Sequence, residues 1–179
     1  LAGLPVAPPA PAQPGEPPSR LYVLAIGISQ YEVPAYELGL AAKDATDFSR
    51  VLENARTSPY EQVDIRLLTN QQATGRNIRA GLVWLRESVR AQDLGILFMA
   101  GHGLNTSAGQ YFFLPWEGRH QSLAATGVAE SELRQTLSQM RGRALLFVDT
   151  CYAGAALGTF HSASRELARL ANDLASAEN

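Results

Sequence analysis

The chain has 179 residues, 46% of them hydrophobic, with 15 basic side chains against 17 acidic ones and a formal charge of −2. That is enough for one domain of ordinary size with a full core, and the near balance of charge argues against a nucleic-acid or anionic-membrane surface. A single cysteine excludes an internal disulfide and fits a reducing, cytoplasmic setting, and there is no apolar run of about eighteen residues to cross a membrane as a helix.

Residues 1–20 hold seven of the ten prolines: Pro5, Pro8, Pro9, Pro11, Pro14, Pro17 and Pro18. Such a stretch cannot pack a helix or a central strand, and it reads as a semi-rigid linker or tail. No initiator Met and no signal-peptide pattern open the chain, so it is expected to begin inside a longer protein or after processing. The ordered domain is expected over residues 21–179.

LYVLAIGIS, from Leu21, is a continuous apolar run closed by Gly27, the pattern of a strand buried on both faces. A loop with Pro34 follows. From Leu40, the residues Ala41, Ala45, Phe48, Val51 and Leu52 recur at helical spacing. VDIRLLT (63–69) predicts a second strand. Ile78, Leu82, Leu85 and Val89 predict a second helix, capped near Thr74. DLGILFMA (93–100) predicts a third strand, closed at once by GHG. QYFFL (110–114) reads as a short strand or ribbon. Leu133, Leu137 and Met140 mark a third helix, RALLFVD (143–149) a fourth strand, and Leu167, Leu170, Ala171 and Leu174 a last helix. Strands alternating with helices imply right-handed crossovers, an α/β fold and a mostly parallel sheet with helices on both faces. No closing strand follows the last helix, so the sheet is expected to lack its C-terminal strands. In such sheets ligands bind beyond the carboxyl ends of the strands.

Two residue types that can carry chemistry fall at those ends. His102 follows the third predicted strand and Cys151 the fourth. If the two strands are adjacent, imidazole and thiol can face each other. A free thiol, with a pKa of about 8.5, is mostly protonated at neutral pH. A neighbouring histidine can take its proton and later protonate a leaving amine. The glycines flanking His102, Gly101 and Gly103, let backbone approach a ligand closely. The N–H groups of Gly103 and Cys151 could then receive an oxyanion, and Ala153 and Gly154 keep the space beyond the thiol open. Taken singly, Cys151 reads as a small buried hydrophobe and GHG as a tight turn. His120 and His161 follow no predicted strand and read as loop histidines. One Cys and three scattered His give no metal-ligand spacing, so neither metal nor cofactor is expected.

AGHG (100–103) and DTCYAG (149–154) resemble the strand ends of the caspase-like cysteine peptidases, a family that includes metacaspases and bacterial caspase homologues. Caspases place their histidine about 50 residues before the cysteine, and here the separation is 49. LYVLAIGISQY (21–31) and AAKDATDF (41–48) are similar to the family's first strand and first helix. The resemblance covers about residues 21–179 and is strongest to bacterial members. It implies the three-layer caspase-like fold, His102 as general base and acid, and Cys151 as nucleophile, with an oxyanion hole from the N–H groups of Gly103 and Cys151. In metacaspase-type members two acids line the pocket for the residue before the scissile bond, and these correspond to Asp44 and Asp149. Two carboxylates there suit an Arg or Lys side chain; the bland alternative for Asp44 is a first-turn acid favoured by the helix dipole. Aspartate-specific caspases have Gln-Ala-Cys where this chain has Asp-Thr-Cys, so cleavage after Asp is not expected. Residues 103–116 contain none of the acids of calcium-dependent metacaspases. The resemblance also implies further strands after the last helix, from a C-terminal small-subunit fragment or a dimer partner. The expected function is a cysteine endopeptidase acting on protein or peptide substrates with Arg or Lys before the cut. A catalytically silent caspase-like scaffold whose open sheet edge recruits a partner is the alternative, and a flavodoxin-like ligand binder is a third, poorer reading, since no Gly-rich phosphate loop follows the first strand.

Overall fold

The computed structural model describes residues 19–54 and 60–152. The proline-rich stretch before residue 19 and the helix expected at Leu167–Leu174 lie outside the described residues, as do His161, Ala153 and Gly154. The first strand, β1 (Arg20–Gly27), is buried at every position after Arg20, as its unbroken apolar run requires. Helix α1 (Ala41–Asn54) follows a loop, then β2 (Gln62–Thr69) and α2 (Gly75–Ser88). Thr74 caps α2, its side-chain oxygen accepting the Asn77 N–H at 3.2 Å. Next come β3 (Leu94–Asn105), β4 (Tyr111–Phe113), the single-turn α3 (Leu123–Thr126), β5 (Val128–Ala129), α4 (Glu130–Ser138) and β6 (Arg143–Tyr152).

Four parallel strands run side by side in the order β2, β1, β3, β6. Near its end β3 also pairs antiparallel with β4, which in turn pairs with β5. Gly103 has a partner on each flank, Phe113 of β4 and Tyr152 of β6. So β4 lies on the β1 side of β3, continuing the sheet where β1 has stopped.

Alternation along the strands divides the core into two layers. Leu21, Val23 and Ala25 of β1 and Ile96 of β3 pack with Ala45 of α1, with Phe48 and Phe98 beside them. Tyr22, Leu24, Ile26, Leu97 and Met99 pack on the other face against Ile78, Leu82 and Leu85 of α2 and Leu133 and Leu137 of α4. Leu24, Ile26, Ile78, Leu85 and Leu97 are fully buried. Each such side chain contributes about 1.5–3 kcal/mol relative to exposure. The result is the α/β sandwich that the strand–helix alternation implies.

The strand ends differ from the sequence reading. The glycines of GHG suggest a turn after residue 100, yet β3 stays extended to Asn105. The fourth predicted strand stops at Asp149 in the sequence reading, yet β6 runs on to Tyr152. Both extensions are tertiary. Pairing with β6 holds β3 extended to Gly103, and pairing with β4 carries it on to Asn105. Gly101 permits this at a φ of +155°, in the region that favours glycine. His102 and Cys151 therefore form the next-to-last rung of paired strands rather than the first residues of loops.

Candidate functional site

The register sets His102 directly opposite Cys151 on adjacent parallel strands, two rungs beyond Ala100 and Asp149. Neighbouring strands lie about 4.8 Å apart, so the two positions are as close as strand pairing allows.

His102 is 4% exposed and fixed from three sides. Its backbone N–H donates to the Tyr31 hydroxyl at 2.9 Å. The Tyr31 ring lies 5.1 Å from the imidazole at a tilt of 35°, and the Tyr36 ring meets it edge-on at 6.3 Å. Imidazole Nε2 is 2.8 Å from the Tyr36 carbonyl oxygen. A carbonyl can only accept, so Nε2 carries the proton. In the neutral ring, Nδ1 is then the basic nitrogen, and it is buried without a partner among the described residues. A buried acceptor left unpaired costs about 1–3 kcal/mol, and among the described residues Asn105 Oδ1, Glu117 Oε2 and His120 Nε2 share that state.

Gly103 follows on β3, packed against Tyr111 so tightly that an added Cβ would stand 2.5 Å from the phenol ring. Tyr111 is 6% exposed. Burial pushes its hydroxyl up to about 12, and Thr150, within hydrogen-bonding reach, offsets only part of that. Tyr111 thus bridges β3 and β6 on the face opposite His102, at the rung between Asp149 and Cys151.

The two acids come to one side of the sheet end. Gly27, Ala100 and Asp149 share a rung, and residues on one rung share a face. That face is α1's: a Cβ on Gly27 would lie 2.3 Å from the Ala41 carbonyl oxygen and 2.6 Å from the Ala45 Cβ. One turn further along α1, Phe48 stacks on Phe98 at 4.5 Å and meets Phe147 at 5.4 Å. Asp44 precedes Phe48 by one turn and Asp149 follows Phe147 by two residues. The acids therefore sit above the phenylalanine cluster, toward the His102 end. Ser29 fixes the start of α1 there, its Oγ accepting the Ala42 N–H at 2.9 Å. Lys43 and Arg50 both pair with Asp47. Neither Asp44 nor Asp149 has a hydrogen-bonded or ion-paired side-chain partner among the described residues.

The sequence reading sets His120 aside as a loop histidine. Its ring is stacked on Tyr36 with centroids 4.0 Å apart and planes 12° from parallel. Burial, and next the charge of His102, hold it below the ordinary histidine pKa. No sequence signal joins Tyr36 or His120 to His102, because one contributes a backbone carbonyl and the other a ring face. Among the described residues, no group of three or more His, Cys, Asp and Glu is placed to hold a metal ion.

The family model described as the caspase domain matches residues 20–174. No curated protein matches the chain. Among solved structures, a protein from Geobacter sulfurreducens shares the fold with a TM-score of 0.61 at 17% identity, over 81% of this chain and 55% of that one. This chain therefore spans little more than half the length of that relative.

Proposed function

The chain belongs to the caspase-domain peptidase family, and from that premise we propose that it is a cysteine endopeptidase cutting after Arg or Lys. The observation that carries the reading is the rung that pairs His102 with Cys151, together with the bare, buried Nδ1 of His102.

In the proposed reaction His102 Nδ1 takes the Cys151 thiol proton, and the thiolate attacks the scissile carbonyl carbon. The negative oxygen is received by the N–H groups of Gly103 and Cys151. Nδ1–H then protonates the leaving amine, the C–N bond breaks, and an acyl-thioester remains on Cys151. Water attacks that ester while Nδ1 takes a proton from it, which frees the carboxylate product and returns the thiol. The Tyr36 carbonyl keeps Nε2–H occupied throughout, and it stabilises the imidazolium that forms between proton transfers.

Asp44 and Asp149 set the preference for what is cut. Both lie on the α1 side of the sheet end, and neither carboxylate is spent on a neighbouring cation. A guanidinium between them can be held by paired charge-assisted bonds, whereas a substrate carboxylate would be repelled.

The test is a fluorogenic peptide panel differing only at the residue before the cut: Arg, Lys, Asp and Leu. Turnover of the Arg and Lys peptides, absent in Cys151→Ala, is the expected result. Turnover of the Asp peptide alone would overturn the assignment of the acids. Silence on all four, in this chain and in a longer one, would overturn the peptidase in favour of a scaffold.

A further inference from the structure

We propose that Arg119 and His120 form a clamp on the loop between β1 and α1, and that this clamp sets the tautomer and position of His102. The inference rests on the reading above that His102 is the base. It adds residues that act on His102 by positioning.

The carbonyl that holds His102 belongs to Tyr36, in a loop of which Pro34, Ala35, Glu37 and Gly39 are exposed. A loop so exposed needs outside contacts to hold one carbonyl at 2.8 Å from a ring nitrogen. Part of the hold is local: the Leu38 N–H donates to the Ser29 carbonyl at 2.8 Å, and the Tyr36 ring meets Tyr31 edge-on at 6.3 Å. The rest comes from the segment after β4. The Glu32 N–H donates to the Trp116 carbonyl at 3.0 Å. Arg119 Nη2 donates to a Glu32 carboxylate oxygen at 2.8 Å. His120 lays its ring flat on Tyr36 at 4.0 Å.

The segment is itself held. The Arg119 N–H donates to Thr126 Oγ1 at 3.1 Å, and that hydroxyl donates to the Ser122 carbonyl at 3.0 Å. His120 Nε2 is buried without a partner among the described residues, so the ring's contact with Tyr36 is through its face. Burial, and next the charge of His102, favour the neutral form of that ring. Removing it leaves the Tyr36 ring without its stacked cover and frees the carbonyl to drift. Nε2–H then loses its acceptor, and the proton can move to Nδ1, the nitrogen that must be bare to act as base.

The experiment reads the tautomer of His102 directly, by imidazole nitrogen NMR, in the whole chain and in His120→Ala, His120→Phe and Arg119→Gln. Alkylation of Cys151 by iodoacetamide and hydrolysis of an Arg peptide are measured beside it. The wild type is expected to show the Nε2–H form. His120→Ala is expected to mix the tautomers and to lower alkylation and kcat by about tenfold with KM little changed, the order of loss that small misplacements bring. His120→Phe keeps a flat ring and is expected to restore both readouts. If His120→Ala does not fold, Arg119→Gln at the exposed ion pair reports on the same clamp, with a smaller shift in the same direction. An unmoved tautomer and unchanged alkylation in folded His120→Ala or Arg119→Gln overturn the clamp, and so does failure of His120→Phe to rescue. A moved tautomer with no peptide cut by any variant, wild type included, in this chain and in a longer one, supports the clamp while ending the peptidase reading.

Discussion

At the end of the sheet where β3 and β6 begin, Asp93 is 1% exposed and each of its polar atoms is paired. Its carboxylate accepts the N–H groups of Arg20 and Arg90, both at 2.9 Å, its carbonyl accepts the Arg143 N–H at 3.1 Å, and its own N–H donates to Arg90. At the other end, where the same strands finish, His102 is 4% exposed and one ring nitrogen has no described partner. Burial is similar at the two ends, but saturation is not. A fully satisfied buried network holds strands together, whereas a buried atom left unsatisfied calls for a further partner or a strain that something else offsets. The difference in saturation is what the proposed chemistry at His102 draws on.

Substitutions should separate the two ends. His102→Ala is expected to lower peptide turnover by about 10²–10⁴-fold, the range for losing a general acid–base group, with a smaller fall in stability than Asp93→Ala, because the lost ring packing and Tyr36 carbonyl bond are partly offset by removal of a buried unpaired nitrogen. Asp93→Ala is expected to do the reverse. Two backbone N–H groups lose the buried Asp93 carboxylate as acceptor, costing about 3 kcal/mol in denaturant titration, with turnover unchanged wherever the protein remains folded. A large stability loss in the first variant, or a turnover loss in folded Asp93→Ala, would break the distinction.

Gly103→Ala probes the junction of the two roles. Its new methyl meets the Tyr111 ring, itself confined beneath the strands, so overpacking of about 2 kcal/mol is expected together with reduced turnover. Tyr111 also sharpens the comparison through pH. Its folded pKa, about 12, lies above the ordinary 10.0. The neutral phenol is thus favoured by folding. Its contribution is fully present below pH 10 and is lost between pH 10 and 12, at about 1.4 kcal/mol per pH unit. Chemical denaturation across that range, compared with Tyr111→Phe, checks the slope. The smallest effect concerns His120. Its folded pKa lies below 6.5, so its contribution is present above pH 6.5 and is lost as pH falls through the folded value. Melting curves of His120→Phe should be flatter than wild type over that interval.

Much of this was legible in the sequence. β1 reads as buried on both faces because no polar residue interrupts Leu21–Ile26, and α2 begins at its predicted cap, Thr74. Asp149 reads as a strand-end acid, and the rung it shares with Gly27 and Ala100 places it on α1's face. The short α3 and β5 span too few residues for periodicity to mark them. The last rungs of β3 and β6 escape the sequence because the glycines of GHG signal a turn and Asp149 ends the apolar run, whereas pairing between the two strands carries both on. Tyr36 leaves no sequence signal, since it reaches His102 through a main-chain oxygen and through ring contacts between distant segments. His120 reads as a loop histidine in sequence because a ring stacked on a distant loop leaves no spacing to recognise.

The central claim is that the paired rung makes Cys151 a nucleophile through His102. The most direct measurement is the rate at which iodoacetamide alkylates Cys151 at neutral pH, in the folded chain, in the denatured chain and in folded His102→Ala. With one cysteine in the sequence, the label reports a single site. The account predicts that the folded chain reacts faster than the denatured one and that His102→Ala abolishes the advantage. Equal rates in all three would contradict it.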